Sequence, residues 1–91
     1  MVRNWRVREG EIDIVARYGL TLVICEVKTR SSDAFGLPVE AITAVKQRRL
    51  RKLAGIFLAA NPQPRCAVRF DVASVKPGAQ APEVEVIEAA F

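Results

Sequence analysis

The chain has 91 residues, 51% of them hydrophobic and 26% charged, with 14 basic against 10 acidic residues and a net charge of +4. That is one domain over residues 1–91, too apolar to stay disordered and able to bury a single core. The absence of histidine excludes Ser-His-Asp and Cys-His catalysis, and the absence of a long apolar run excludes a membrane helix.

Residues 3–8 alternate weakly and predict a short edge strand, with Trp5 as a half-buried aromatic. Residues 11–17 predict a second strand. Strict alternation puts Glu11, Asp13, Val15 and Arg17 on one face and Ile12, Ile14 and Ala16 on the other. Tyr18-Gly19 is a turn signal. Residues 20–28 are apolar on both faces until Glu26, the pattern of a central strand covered on both sides. A polar loop over residues 29–38 follows, containing Ser31-Ser32-Asp33 and Gly36. Pro38 opens a turn, and Thr43 caps a helix that buries Val45, Leu50, Leu53, Ala54, Phe57 and Leu58. Asn61-Pro62 and Pro64 end the helix. Residues 67–75 predict another main strand, residues 77–82 a loop, and residues 83–88 a last edge strand with its acidic residues outward. The expected fold is α/β in the α+β sense: a mixed sheet with a basic helix packed on it.

The acidic residues of the two central strands carry chemistry. A hairpin loop of even length gives facing residues whose numbers sum to 37 or another odd value. Glu11 then lies opposite Glu26 with Asp13 diagonal to it, and Lys28 shares their face. Asp13, Glu26 and Glu11 can hold a hard divalent cation, Mg2+ or Mn2+, which would polarise a phosphoryl oxygen and acidify a bound water. Lys28 is placed to orient that water and stabilise developing negative charge.

Residues 41–70 hold seven basic residues and no acidic one. Lys46, Arg48, Arg49, Arg51 and Lys52 concentrate on the helix, an electrostatic footprint for a polyanion. Cys25 and Cys66 sit in apolar runs and read as reduced core residues. With no apolar signal core in Met1-Val2-Arg3-Asn4-Trp5-Arg6, the expected compartment is the cytoplasm.

Four segments in order carry a family resemblance: Gly10-Glu11-Ile12-Asp13-Ile14-Val15-Ala16, Val23-Ile24-Cys25-Glu26-Val27-Lys28-Thr29-Arg30, Lys46-Gln47-Arg48-Arg49-Leu50 and Arg69-Phe70-Asp71-Val72. The chain resembles the YraN-like family of bacterial endonuclease-like proteins. The resemblance implies a restriction-endonuclease-like fold related to Holliday-junction resolvases and PD-(D/E)xK chemistry. It implies Asp13 and Glu26 as metal ligands with the backbone carbonyl of Val27, Lys28 as the catalytic lysine, and Glu11 as an accessory acid. Gln47 and the basic residues after it would lie near the phosphate backbone, and Arg30, closing the second segment, is grouped with them. The resemblance also implies a helix ahead of Asn4-Trp5-Arg6 that this sequence does not contain. One side of the sheet is therefore expected to be uncovered, giving either poor monomer stability or a homodimer that covers the exposed face. The expected function is Mg2+- or Mn2+-dependent cleavage of DNA, including branched DNA. The alternatives are a non-catalytic nucleic-acid-binding module and an oligomeric scaffold.

Overall fold

A computed structural model describes residues 1–29, 42–78 and 80–91. Arg30, Ser31, Ser32, Asp33, Gly36 and Pro38 lie outside the described residues. The element order is β1 (Val2–Val7), β2 (Gly10–Tyr18), β3 (Thr21–Thr29), α1 (Ala44–Ala60), β4 (Ala67–Lys76) and β5 (Glu83–Ile87). The strands form one mixed sheet in the order β1-β2-β3-β4-β5. Only β3 and β4 run parallel, as their crossover through α1 requires. The expected succession of elements is therefore present.

The β2–β3 hairpin closes at Tyr18↔Thr21, so its loop is Gly19-Leu20 rather than Tyr18-Gly19. Gly19 takes φ 56°, the left-handed conformation that a two-residue hairpin loop demands and glycine adopts freely. The loop is even, as expected, but facing residues sum to 39, as in Val15↔Ile24. This two-residue offset matters at the acidic end of the hairpin.

Strict alternation on β2 does not hold. Ile12 and Val15, three positions apart, both enter the same core cluster, so the strand slips out of its two-residue period between them. On β1 the paired residues run Arg3↔Ile14 and then Trp5↔Ile12, skipping the Asn4 and Asp13 position. Asn4 adopts φ 52°, a conformation asparagine tolerates better than most side chains. The irregularity frees Asp13 from the pleat.

The core lies between α1 and one face of the sheet. Leu50, Leu53, Ala54 and Phe57 of the helix meet Ile12, Val15, Leu22, Ile24 and Phe70. Trp5 packs edge-on against Phe57 with ring centroids 5.2 Å apart, as its half-buried reading anticipated. Val45 is 57% exposed and is not one of the buried helix residues, because the buried stripe begins a turn later at Leu50. β3 is buried from Leu22 to Glu26 on both faces, the property expected of a central strand.

Both helix ends are capped by side chains. Thr43 accepts from the Lys46 N–H at 3.1 Å, and the Asn61 side chain donates to the Phe57 carbonyl at 3.1 Å. Among the described residues no helix is long and apolar enough to cross a membrane.

Candidate functional site

The last described pair between β2 and β3 at this end is Ile14↔Cys25. Beyond it the Val27 N–H finds its acceptor in a side chain: Asp13 Oδ2 takes it at 2.8 Å. A carboxylate thus replaces a backbone carbonyl where the two strands part. The same hydrogen bond fixes Asp13 beside Glu26 and Lys28, the neighbours of Val27 in the chain.

Glu26 is 8% exposed. A buried carboxylate needs a partner, and Lys46 in the first turn of α1 supplies it, with Nζ 2.8 Å from Glu26 Oε1. Lys46 also neighbours Lys28. Hydrogen bonding to Lys46, then burial, pushes the Lys28 ammonium below the usual lysine range, against the opposing pull of Glu26 and Asp13. Hydrogen bonding to Glu26, then to Lys28, holds Lys46 above that range. Both ammonium groups feel Asp13 as well as Glu26, so two carboxylates and two amines share one field.

Glu11 does not join them. The register places it opposite Arg6 on β1, and Arg6 Nε lies 3.2 Å from Glu11 Oε2. The pair it was expected to form with Glu26 is lost to the two-residue offset of the hairpin. Among the described residues no three His, Cys, Asp or Glu side chains converge as a metal cage.

The basic helix residues divide. Arg48, Arg49 and Lys52 are exposed. Arg51 is exposed too, but it lays its guanidinium over Phe70 and Phe91, 5.0 and 5.6 Å from the ring centroids. Gln47 is tied to the helix start, its side-chain amide donating to the Ile42 carbonyl at 3.1 Å.

Spacing gave no sign of Arg3 and Asn4, which line a cavity of about 470 Å³ with Asp13, Ile14 and Val27. Lys46 was visible only as part of the stripe. A weak signal was available: α1 has no acidic residue in its first turn, so a lysine there opposes the helix dipole and gains from a nearby anion.

Asp71 belongs elsewhere. It is 3% exposed, receives two hydrogen bonds from Arg69 at 2.9 and 3.0 Å, and accepts from the Ala89 N–H at 3.0 Å. The Asp71 carboxylate in turn raises the Arg69 pKa. The arrangement pins the end of the chain, where Phe91 stacks on Phe70. Nearby Cys25 is a free thiol whose pKa is raised by burial and then by the Asp71 charge.

Residues 1–75, holding both hairpin segments, the basic helix and β4 up to Val75, match the family described as uncharacterised protein family UPF0102. The chain belongs to the UPF0102 family. Its relatives are bacterial. A UPF0102 protein of Parafrankia sp. (strain EAN1pec) is 55% identical over 75 residues, 82% of this chain and 64% of the relative. The UPF0102 protein of Mycolicibacterium vanbaalenii is 48% identical over 89 residues, covering 97% of this chain and 74% of its own. That of Geobacter metallireducens is 49% identical over 89 residues, covering 98% and 73%. The UPF0102 chain thus spans just under two thirds of the Parafrankia relative and about three quarters of the other two.

Proposed function

We propose that this UPF0102 chain is a Mg2+- or Mn2+-dependent nuclease of PD-(D/E)xK type with a restriction-endonuclease-like fold, acting on DNA. The observation that carries the reading is the Asp13–Val27 hydrogen bond, which brings Asp13 to the Glu26-Val27-Lys28 segment at the parting of two strands. Asp13 and Glu26 supply hard carboxylate donors, and the Val27 carbonyl is a third candidate. Two carboxylates with water and substrate oxygens suit a magnesium-like ion, so the donor set fits the metal that the resemblance implies. When bound, the ion would supply Lewis-acid polarisation of the phosphoryl oxygen. Lys28, with its lowered pKa, would hold or release a proton beside the attacking water.

Purified protein should cleave single-stranded, duplex or four-way-junction DNA in Mn2+ or Mg2+. Failure on every substrate in either metal would reject the reading. A second reading, a nucleic-acid-binding module without catalysis, draws on the diversion of Glu11 to Arg6 and the seating of Lys46 on Glu26. Salt-sensitive binding with no cleavage would select it.

Both readings place DNA against the exposed basic side of α1. Arg48→Glu with Arg49→Glu should weaken binding on every DNA sequence and lower the slope of log K against log salt by roughly one for each phosphate no longer neutralised. Arg51→Glu should act mainly on stability, because its guanidinium covers two rings. Unchanged affinity and slope in the Arg48, Arg49 double variant would move the DNA face elsewhere.

We also infer a homodimer through the sheet face opposite α1. Among the described residues that face has a groove of about 610 Å³ lined by Ile14, Ala16 and Tyr18 of β2, Val23 and Cys25 of β3, the Arg69-Asp71 pair of β4 and Val86 of β5. Val86 and Tyr18 are 54% and 69% exposed, apolar area that a second copy would remove from water. Sedimentation should show concentration-dependent association that Val86→Glu suppresses. A wild-type monomer at every concentration would reject the dimer.

A further inference from the structure

Lys46 stands in a place that local helix physics disfavours. It lies in the first turn of α1, at the positive end of the helix dipole, with no acidic residue in that turn. What holds it there is Glu26, across the crossover, at 2.8 Å. Glu26 in turn is buried, and the described residues contain no buried side-chain nitrogen or oxygen without a hydrogen-bond partner. The ion pair therefore satisfies a carboxylate that could not stay charged and alone.

We propose that Lys46 is a resident counter-cation of the acidic site: it neutralises Glu26 in the free protein and competes there with a divalent metal, which loads against its charge. This rests on the nuclease reading above. A metal that takes Glu26 Oε1 displaces the ammonium from it, and a metal that takes Oε2 shares the carboxylate with a cation that repels it. Lys46 is two-thirds hidden, with 32% of its side chain exposed, so its flexible stem can carry the ammonium outward without moving α1. Once released it stands at the helix N-terminus beside Lys28, where a phosphate oxygen replaces Glu26 as its partner. Lys46 thereby couples metal loading to substrate binding. It also keeps the site neutral in the free protein, weakening its hold on metal.

Calorimetric titration with Mn2+ alone, without DNA, tests this. Lys46→Met and Lys46→Gln remove the charge and should bind Mn2+ at least about tenfold more tightly than the wild type, the direction set by losing one adjacent like charge. Lys46→Arg keeps the charge and should stay near the wild-type affinity. Circular dichroism establishes that each variant is folded, and Lys46→Gln, which can still donate to Glu26, carries the comparison where Lys46→Met does not fold. Adding Asp13→Asn to either neutral variant should abolish the gain. If the wild type binds Mn2+ and the neutral variants bind it equally or more weakly, the counter-cation role is wrong and the nuclease reading survives. If no variant binds Mn2+, both are wrong.

Discussion

Asp13→Ala, Glu26→Ala and Lys28→Ala should each cut DNA cleavage by roughly 10²–10³-fold or more while leaving DNA binding largely intact, since each removes a group acting at the reacting phosphate. The three losses have different origins. Asp13→Ala deletes a donor and also the acceptor of the Val27 N–H, so it should carry the largest structural penalty of the three. Asp13→Asn separates the two effects: the amide oxygen can still accept from Val27, but the charge is gone. Glu26→Ala leaves the Lys46 ammonium without its partner, a change that Glu26→Gln softens. Lys28→Ala removes an amine whose pKa is lowered by Lys46. Lys28→Arg keeps a charge but cannot deprotonate, so its failure to rescue would assign Lys28 a proton-transfer role. Single-turnover cleavage with matched binding curves measures all of these. Retained cleavage in Asp13→Asn would remove Asp13 from the metal shell.

Much of the fold was legible in the sequence because its signals are local. The doubly apolar run through Leu22, Val23, Ile24 and Cys25 can only be a central strand, and it is. The helix shows itself in Leu50, Leu53, Ala54 and Phe57, and its cap in Thr43. The even parity of the hairpin loop was a supposition on which the site depended, and the Tyr18↔Thr21 pair meets it. The register of the hairpin was not legible. Moving the loop from Tyr18-Gly19 to Gly19-Leu20 exchanges Glu11 for Asp13 as the residue nearest Glu26, and the turn residues alone do not decide between the two. The slip in β2 was invisible as well, because it arises where Asn4 on another strand takes a left-handed conformation. Alternation read along β2 alone therefore misassigned Ile12 and Val15 to opposite faces. Arg51 and Lys46 show the same limit at longer range. Their partners, Phe91 and Glu26, are distant in sequence, so a basic stripe that looks uniform along the helix is chemically divided.

Leu53→Ala should destabilise the fold by about 2–5 kcal/mol, the range for a large-to-small change in a packed core. Leu53 is 1% exposed and sits at the seam between α1 and the sheet. A Cβ placed on Gly10, where β2 begins, would lie 3.2 Å from Leu53 Cδ1. Gly10 has φ 153°, so the strand start is shaped to admit the leucine and has no side chain to fill the space it would vacate. In a domain this small, a loss of that size is a large share of a total of roughly 5–15 kcal/mol. It should lower the melting temperature by at least about 8 °C, taking about 4–8 °C per kcal/mol for a domain of this length. Val45→Ala on the same helix, at a position 57% exposed, should change it little. The comparison also bears on function, because α1 carries Lys46, Gln47, Arg48 and Arg49 into place through this seam. If the helix loosens before the sheet melts, Leu53→Ala should weaken DNA binding at temperatures where the strands remain folded by circular dichroism. Equal melting temperatures for Leu53→Ala and Val45→Ala would show that α1 is not seated at Gly10, and the positions assigned to Lys46 and Glu26 would fall with it.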